Sequence, residues 1–177
     1  MIVDLSHAGK QTCLDAINIS KKPVAISHAN PSFFHKSIRN IDKDVLIKLV
    51  NNNGFIGLSL YPYHLKNLGK CTEEDFCTMI KQLINIIGDN NIGIGSDLCL
   101  NWPDEVVMWM RNGQWTKKID YGESKDQNPK WPELPSWYKQ PSDIRNLYST
   151  MCKYDISEKT AEKILGLNWL NFMKNHF

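Results

Sequence analysis

Two histidines, His7 and His28, each close a short apolar run: Ile2-Val3-Asp4-Leu5-Ser6-His7 and Pro23-Val24-Ala25-Ile26-Ser27-His28. A helix-forming stretch separates the two runs. Parallel strands joined by a crossover helix finish on the same side of a sheet, with neighbours about 4.8 Å apart. Imidazoles placed there can share one metal ion, because Zn–N bonds are about 2.0–2.1 Å. A single strand-end histidine is more often a hydrogen-bonded structural residue. A Ser-His ending repeated on successive strands is hard to explain as core packing, and the pair reads as half of a metal site.

The elements that must position this pair alternate between strand and helix. Residues 2–6 read as a short buried strand, 10–21 as a helix burying Leu14 and Ile17, and 23–27 as a second strand. A polar loop with an aromatic patch (Phe33, Phe34) covers 29–40. Asp42 then caps a helix whose Val45, Leu46, Leu49 and Val50 recur at helical spacing, and Asn53-Gly54 ends it by a left-handed cap on the glycine. Residues 55–61 form a third strand. Thr72 and Asp75 resemble a capping box before a helix that buries Phe76, Met79, Ile80, Leu83, Ile84 and Ile87. Gly88-Asp89-Asn90 stops that helix, and a fourth strand, 92–97, ends on the carboxylate of Asp97. Alternation of this kind argues for an α/β fold with a parallel sheet and right-handed crossovers.

Beyond the fourth strand the pattern changes. Residues 98–141 are Pro- and Trp-rich, with Trp102, Trp109, Trp115, Trp131 and Trp137, and contain one helix near 103–112. Segments of this length serve as lids, binding loops or interfaces; packing and interface is the favoured reading. Ser157 caps a closing helical stretch, 157–175, hinged at Gly166. The organisation expected is one incomplete domain over 1–177: strand–helix units to 97, the Trp-rich segment to 141, and C-terminal helices from 142.

Composition excludes several classes. With 177 residues, 42% hydrophobic and 23% charged, the chain can bury a sizeable core. A net charge of +2 without a basic cluster gives no nucleic-acid footprint, and Lys21-Lys22 and Lys117-Lys118 read as solvated surface. Five cysteines with no C-x-x-C spacing fit reduced thiols in a cytosol-like compartment rather than a disulfide framework. No secretory signal opens the chain, and no apolar run spans a bilayer.

Several pieces in order resemble the membrane (renal-type) dipeptidase family of zinc metallopeptidases. They are Ile-Val-Asp-Leu-Ser-His (2–7), Lys-Pro-Val-Ala-Ile-Ser-His-Ala-Asn (22–30) and Arg-Asn-Ile-Asp (39–42). Further on come Gly-Leu-Ser-Leu-Tyr-Pro (57–62), Gly-Ile-Gly-Ser-Asp (93–97) and Ile-Leu-Gly-Leu-Asn-Trp-Leu (164–170). The resemblance implies a (β/α)8 TIM-type barrel, of which this chain is the C-terminal half with about four strands. A two-zinc centre would sit at the C-terminal face, where barrel enzymes keep their chemistry. His7 and His28 match the histidines that the fifth and sixth strands give to one zinc. Asp97 matches the carboxylate beside the metal-bound water, and Arg39 the arginine that pairs with the substrate's terminal carboxylate.

The same resemblance places other parts of the site outside this sequence. A His-x-Asp pair, a metal-bridging glutamate and a further histidine belong to the family's first four strands. Leu98-Cys99-Leu100 also replaces the common Phe-Asp-Gly. Other readings stand beside these: Asp97 as a turn or cap residue, and Arg39 as an ion-pair partner of Asp42 or Asp44. Asp4 either bonds neighbouring backbone or supports His7. His35, His64 and His176 are expected to be exposed and unrelated to metal, and Cys99 to be a buried, inert thiol.

The function expected is therefore a zinc-dependent dipeptidase, inactive as this half alone and holding at most one partial zinc site. Its partners would be a dipeptide and either a missing N-terminal half-barrel chain or a second copy. The competing class is a non-catalytic half-barrel remnant or structural subunit.

Overall fold

The computed structural model describes residues 1–112 and 130–176. Three parallel strands lie side by side in chain order: β1 (Ala25–Ala29), β2 (Phe55–Leu58) and β3 (Ile92–Ile94). Helix α1 (Lys10–Ile19) precedes β1, and α2 (Lys43–Asn51) and α3 (Glu73–Ile87) are the crossovers. Ile26 stands opposite Ile56, and Ile56 opposite Ile92. Strand alternation sends Ile56 and Leu58 into the main core, where they meet Val45, Leu46, Leu49, Phe76, Met79 and Ile80, all buried. Phe55 points the other way, into a second cluster with Ala25, Phe172 and Trp169.

Residues 2–6 do not form the strand expected of them. They make one bridge, Asp4 to Ala25, flanked by Ala25 N–H to Val3 O (2.9 Å) and Leu5 N–H to Ala25 O (2.8 Å). The reason lies in Asp4, whose Oδ1 accepts the Ser27 N–H (3.0 Å) that the next ladder rung would otherwise use, together with the Ser6 N–H (3.1 Å) of its own segment. A side chain replaces the main chain here. β2 stops at Leu58 for the same reason, since Ser59 N–H donates to Asn30 Oδ1 at 3.1 Å. β1 runs over 25–29 rather than 23–27, so His28 lies within it.

Other local expectations need correction. Asn53, not Gly54, takes the left-handed conformation after α2 (φ 57°). Asp42 occupies the N-cap position of α2, but its carboxylate accepts from Ser32 Oγ (2.8 Å) and Lys10 (3.0 Å). Thr72 does cap α3 by accepting from Asp75 N–H (3.1 Å). The Asp75 carboxylate reaches back only to the Thr72 hydroxyl (3.0 Å), being one methylene shorter than the usual Glu.

Helix α4 (Asp104–Asn112) forms where the periodicity put it. The tryptophans divide: Trp137 packs on Phe76 and donates to Cys71 O (2.7 Å), whereas Trp102 and Trp109 are exposed. Trp115 and Lys117-Lys118 lie outside the described residues. Helices α5 (Ile144–Lys153), α6 (Glu158–Glu162) and α7 (Asn168–His176) close the chain. Ser157 caps α6 by accepting from Thr160 N–H (3.2 Å), and the helical path breaks at Gly166 as expected. From α7, Asn168 Nδ2 donates to Ile92 O (2.8 Å) and Trp169 Nε1 to Ile94 O (2.9 Å), along the outer side of β3. Among the described residues no helix is long and apolar enough to cross a membrane.

A buried polar cluster ties the 29–40 loop to the end of β2. Asn30 Nδ2 donates to the carbonyls of Ser59 (2.9 Å) and His64 (3.1 Å), and Asn40 Nδ2 to those of His35 (2.8 Å) and His64 (3.0 Å). His64 is therefore not exposed; at 2% accessibility its Nδ1 lies 2.8 Å from Ser59 Oγ. His35 and His176 are half-buried, the latter against Phe172. Burial, aided by the positive field of Arg39, His28, His7 and His35, pushes His64 down to about 3 from an ordinary 6.5.

Two predictions follow from packing and burial. A Cβ on Gly95 would stand 1.7 Å from the Ser27 carbonyl oxygen, so Gly95→Ala should cost about 1–3 kcal/mol or more in urea unfolding. Gly9→Ala, with nothing within 4 Å, should stay within ~0.5 kcal/mol; equal midpoints for the two would refute the close approach. Below pH 6.5 the unfolded chain binds a proton that folded His64 refuses, so its contribution is lost as pH falls, at about 1.4 kcal/mol per unit. Between pH 7.5 and 5 the stability drop should therefore be smaller in His64→Gln by about 2 kcal/mol. Equal drops would show that His64 is protonated in the fold.

Candidate functional site

His7 sits in the turn after the Asp4 bridge, and His28 next to last in β1. Their Nε2 atoms are 3.0 Å apart, with ring centroids at 5.1 Å and planes inclined by 64°. Arg39 comes in from the 29–40 loop. Its Nη1 donates to Ser6 O (2.6 Å), and its Nη2 lies 3.2 Å from His7 Nε2. Asn40, the next residue, is anchored in the polar cluster, and this anchorage places the guanidinium. Asp42 and Asp44, the alternative partners for Arg39, both pair with Lys10 (3.0 and 2.9 Å).

Asp97 follows β3 with a left-handed backbone conformation (φ 51°). Burial pushes its carboxyl up, against the opposing pull of His28, Arg39 and His7, which places it in the field of all three. Burial, then the charges of Arg39 and His28, push the His7 imidazole down. Cys99 is half-buried rather than buried, its Sγ 3.8 Å from Asp97 O, and burial keeps it a thiol.

Asp4 does more than either reading foresaw. Its Oδ1 also accepts from Ser6 Oγ (2.6 Å) and its Oδ2 from Ser27 Oγ (2.5 Å). Ser27 Oγ in turn lies 2.8 Å from His28 Nδ1. The support runs to His28 through Ser27, not to His7. Ser6 Oγ accepts from His28 N–H (3.1 Å). Neither serine was singled out in the sequence, although the repeated Ser-His was the signal that could have found them. The Asn30–Asn40–His64 cluster had no comparable signal.

The donor set fits a cation. Two nitrogens on one tetrahedral zinc with bonds of about 2.0–2.1 Å stand about 3.3 Å apart, close to the spacing here. Arg39 can only donate, so at its contact His7 Nε2 is the acceptor and holds its lone pair toward the guanidinium. Among the described residues no group of three or more His, Cys, Asp or Glu side chains is arranged to hold a metal. Among the described residues, what faces this point is a pair of ring nitrogens 3.0 Å apart.

Comparison with known proteins gives the same direction. A family model described as "Membrane dipeptidase (Peptidase family M19)" matches residues 1–104. Dipeptidase tcpJ of Claviceps purpurea is 27% identical over 175 residues, covering 98% of this chain and 34% of that protein. An amidohydrolase from Pseudomonas aeruginosa superposes with a TM-score of 0.86 at 28% identity, over 98% of this chain and 52% of that one. A metallo peptidase from Rhodobacter sphaeroides, solved with a phosphinate mimic of the dipeptide L-Ala-D-Ala, shares the fold at TM-score 0.73 and 17% identity, over 98% and 42%. The chain thus spans about a third to a half of the length of these three proteins. Its α/β fold with a parallel sheet, and its matched sequence, place it in one group: the chain belongs to the membrane dipeptidase family, peptidase family M19.

Proposed function

We propose that this chain is the C-terminal half-barrel of a zinc dipeptidase, completed by an N-terminal half-barrel that brings the other metal ligands. The observation that carries the reading is the convergence of His7 Nε2, His28 Nε2 and the Arg39 guanidinium within 3.2 Å. His7 and His28 would hold one ion through Nε2. When bound, zinc supplies a Lewis acid for the scissile carbonyl and acidifies water. Asp97 accepts a proton on its carboxylate and delivers it to the leaving amine nitrogen. Arg39 pairs with the terminal carboxylate of a dipeptide and so orients short substrates, with a gain through positioning. The dipeptide mimic bound by the Rhodobacter sphaeroides relative supports this substrate class.

The competing reading, a half-barrel without turnover, draws on the two-nitrogen donor set, which falls below the three or four ligands zinc takes. Both readings expect the purified chain with added zinc to hydrolyse dipeptides no faster than background. Co-expression with the N-terminal half of a close relative separates them. Dipeptide hydrolysis should then appear, be lost in His7→Ala, and in Arg39→Lys show mainly a raised KM. No association of the halves, or association without turnover, favours the non-catalytic reading. Turnover by the chain alone, lost in His7→Ala, would overturn the need for a second half.

A further inference from the structure

The loop between β1 and α2 is closed at its base. Ile41 N–H donates to Asn30 O and Ser32 N–H to Ile41 O, both at 2.8 Å, so that Pro31 bridges Ile41. Two amide side chains fill the ring this makes. Asn30 donates its Nδ2 protons to Ser59 O and His64 O and receives Ser59 N–H on Oδ1 (3.1 Å). Asn40 mirrors it from the other limb, donating to His35 O and His64 O and receiving Asn30 N–H on Oδ1 (3.1 Å). The two residues are buried, at 0% and 8% accessibility. Both amide protons and the oxygen of each are thereby used. No other side chain of this size meets the demand: aspartate cannot donate, leucine can neither donate nor accept, and glutamine is one methylene too long. Any such replacement leaves buried main-chain groups unpaired.

We infer that Asn30 and Asn40 are positioning residues that fix the root of Arg39 and thereby the affinity of the site for a substrate carboxylate, without touching the substrate themselves. Arg39 leaves the loop two residues before Ile41, with its own N–H on Ser37 Oγ (3.1 Å) and the next N–H, that of Asn40, on Ser37 O (3.2 Å). Its main chain is gripped on both sides. A long side chain meets a fixed point without large entropic cost only from a fixed root. Here Arg39 Nη1 meets Ser6 O at 2.6 Å, on a different segment of the chain. Because Asn30 also bonds the end of β2, the arginine is referenced to the sheet and not merely to its own loop. That the held guanidinium receives a dipeptide carboxylate rests on the reading above, whereas the holding rests on hydrogen bonds within the chain.

Arginine side-chain 15N NMR of the full 177-residue chain distinguishes positioning from plain destabilisation. Arg145, exposed on α5, is the internal reference. In the unaltered chain Arg39 should give separate Nη1 and Nη2 signals, whereas those of Arg145 average by rotation. Asn40→Ala and Asn30→Ala should each average the Arg39 signals. Leu83→Ala, which opens a cavity in the core toward the end of α3, should lower the urea midpoint and leave the Arg39 signals separate. Averaged Arg39 signals in the unaltered chain or in Leu83→Ala, or separate ones in a folded asparagine variant, overturn the role. Should neither asparagine variant fold, the unaltered chain in urea below its midpoint decides. Averaging of Arg39 together with loss of exchange protection at the Ser32 and Ile41 amides supports the role, and Arg39 signals that stay separate after those amides open sink it. In the co-expressed assembly the same asparagine variants should lower kcat/KM by about 10–100-fold, mainly through KM. Arginine signals as expected, with no turnover by any assembly, would reject the dipeptidase reading alone and leave the positioning role standing.

Discussion

A single carboxylate stands between the two histidine-bearing segments. Asp4 receives main-chain and hydroxyl protons from Ser6 on its own segment and from Ser27 on β1. Charge-assisted bonds of this kind are roughly twice as strong as neutral ones. They replace the ladder bonds that a regular strand would make, and by doing so they let the 2–6 segment turn at Ser6-His7. The convergence of His7 on His28 depends on this substitution. A regular strand would carry its last side chain alongside its neighbour; the turn brings the two rings edge to face.

The remaining geometry is defended by close packing and by full hydrogen bonding of buried polar groups. Gly57 and Gly95 let β2 and β3 approach the Ser27 carbonyl to distances no side chain allows. Asn30 and Asn40 are buried, and between them they bond five main-chain groups of the loop and the β2 end. A buried amide is costly when unsatisfied and rigidifying when complete. Arg39 inherits its position from that rigidity, because Asn40 is its neighbour in the chain.

Much of this was legible in the residues. The 3.6 periodicity located α2 and α3, each of which buries one face in the core, and short apolar runs located β2 and β3, with β2 buried on both faces. The repeated Ser-His placed two imidazoles on one side of the sheet, where they are. What escaped was set by side chains acting as surrogate backbone: Asp4 in place of a strand, and Asn30 ending β2 early. Such substitutions carry no period, so a pattern reading extends the strands through them. His64 escaped for a related reason. No periodicity runs through it, and the ring is buried by its contact with Ser59 and by packing against the 29–40 loop.

Asn168 and Trp169 give the outer border of β3 an unusual property. Strand borders ordinarily offer a row of free carbonyls and amides, and proteins guard them to avoid unwanted pairing. Here the carbonyls of Ile92 and Ile94 already hold an amide and an indole. A newcomer strand at this border finds its acceptors taken, and must evict the α7 side chains to gain anything. The C-terminal helix thereby covers that flank of its own sheet, and a strand arriving there would compete with its side chains for the same carbonyls.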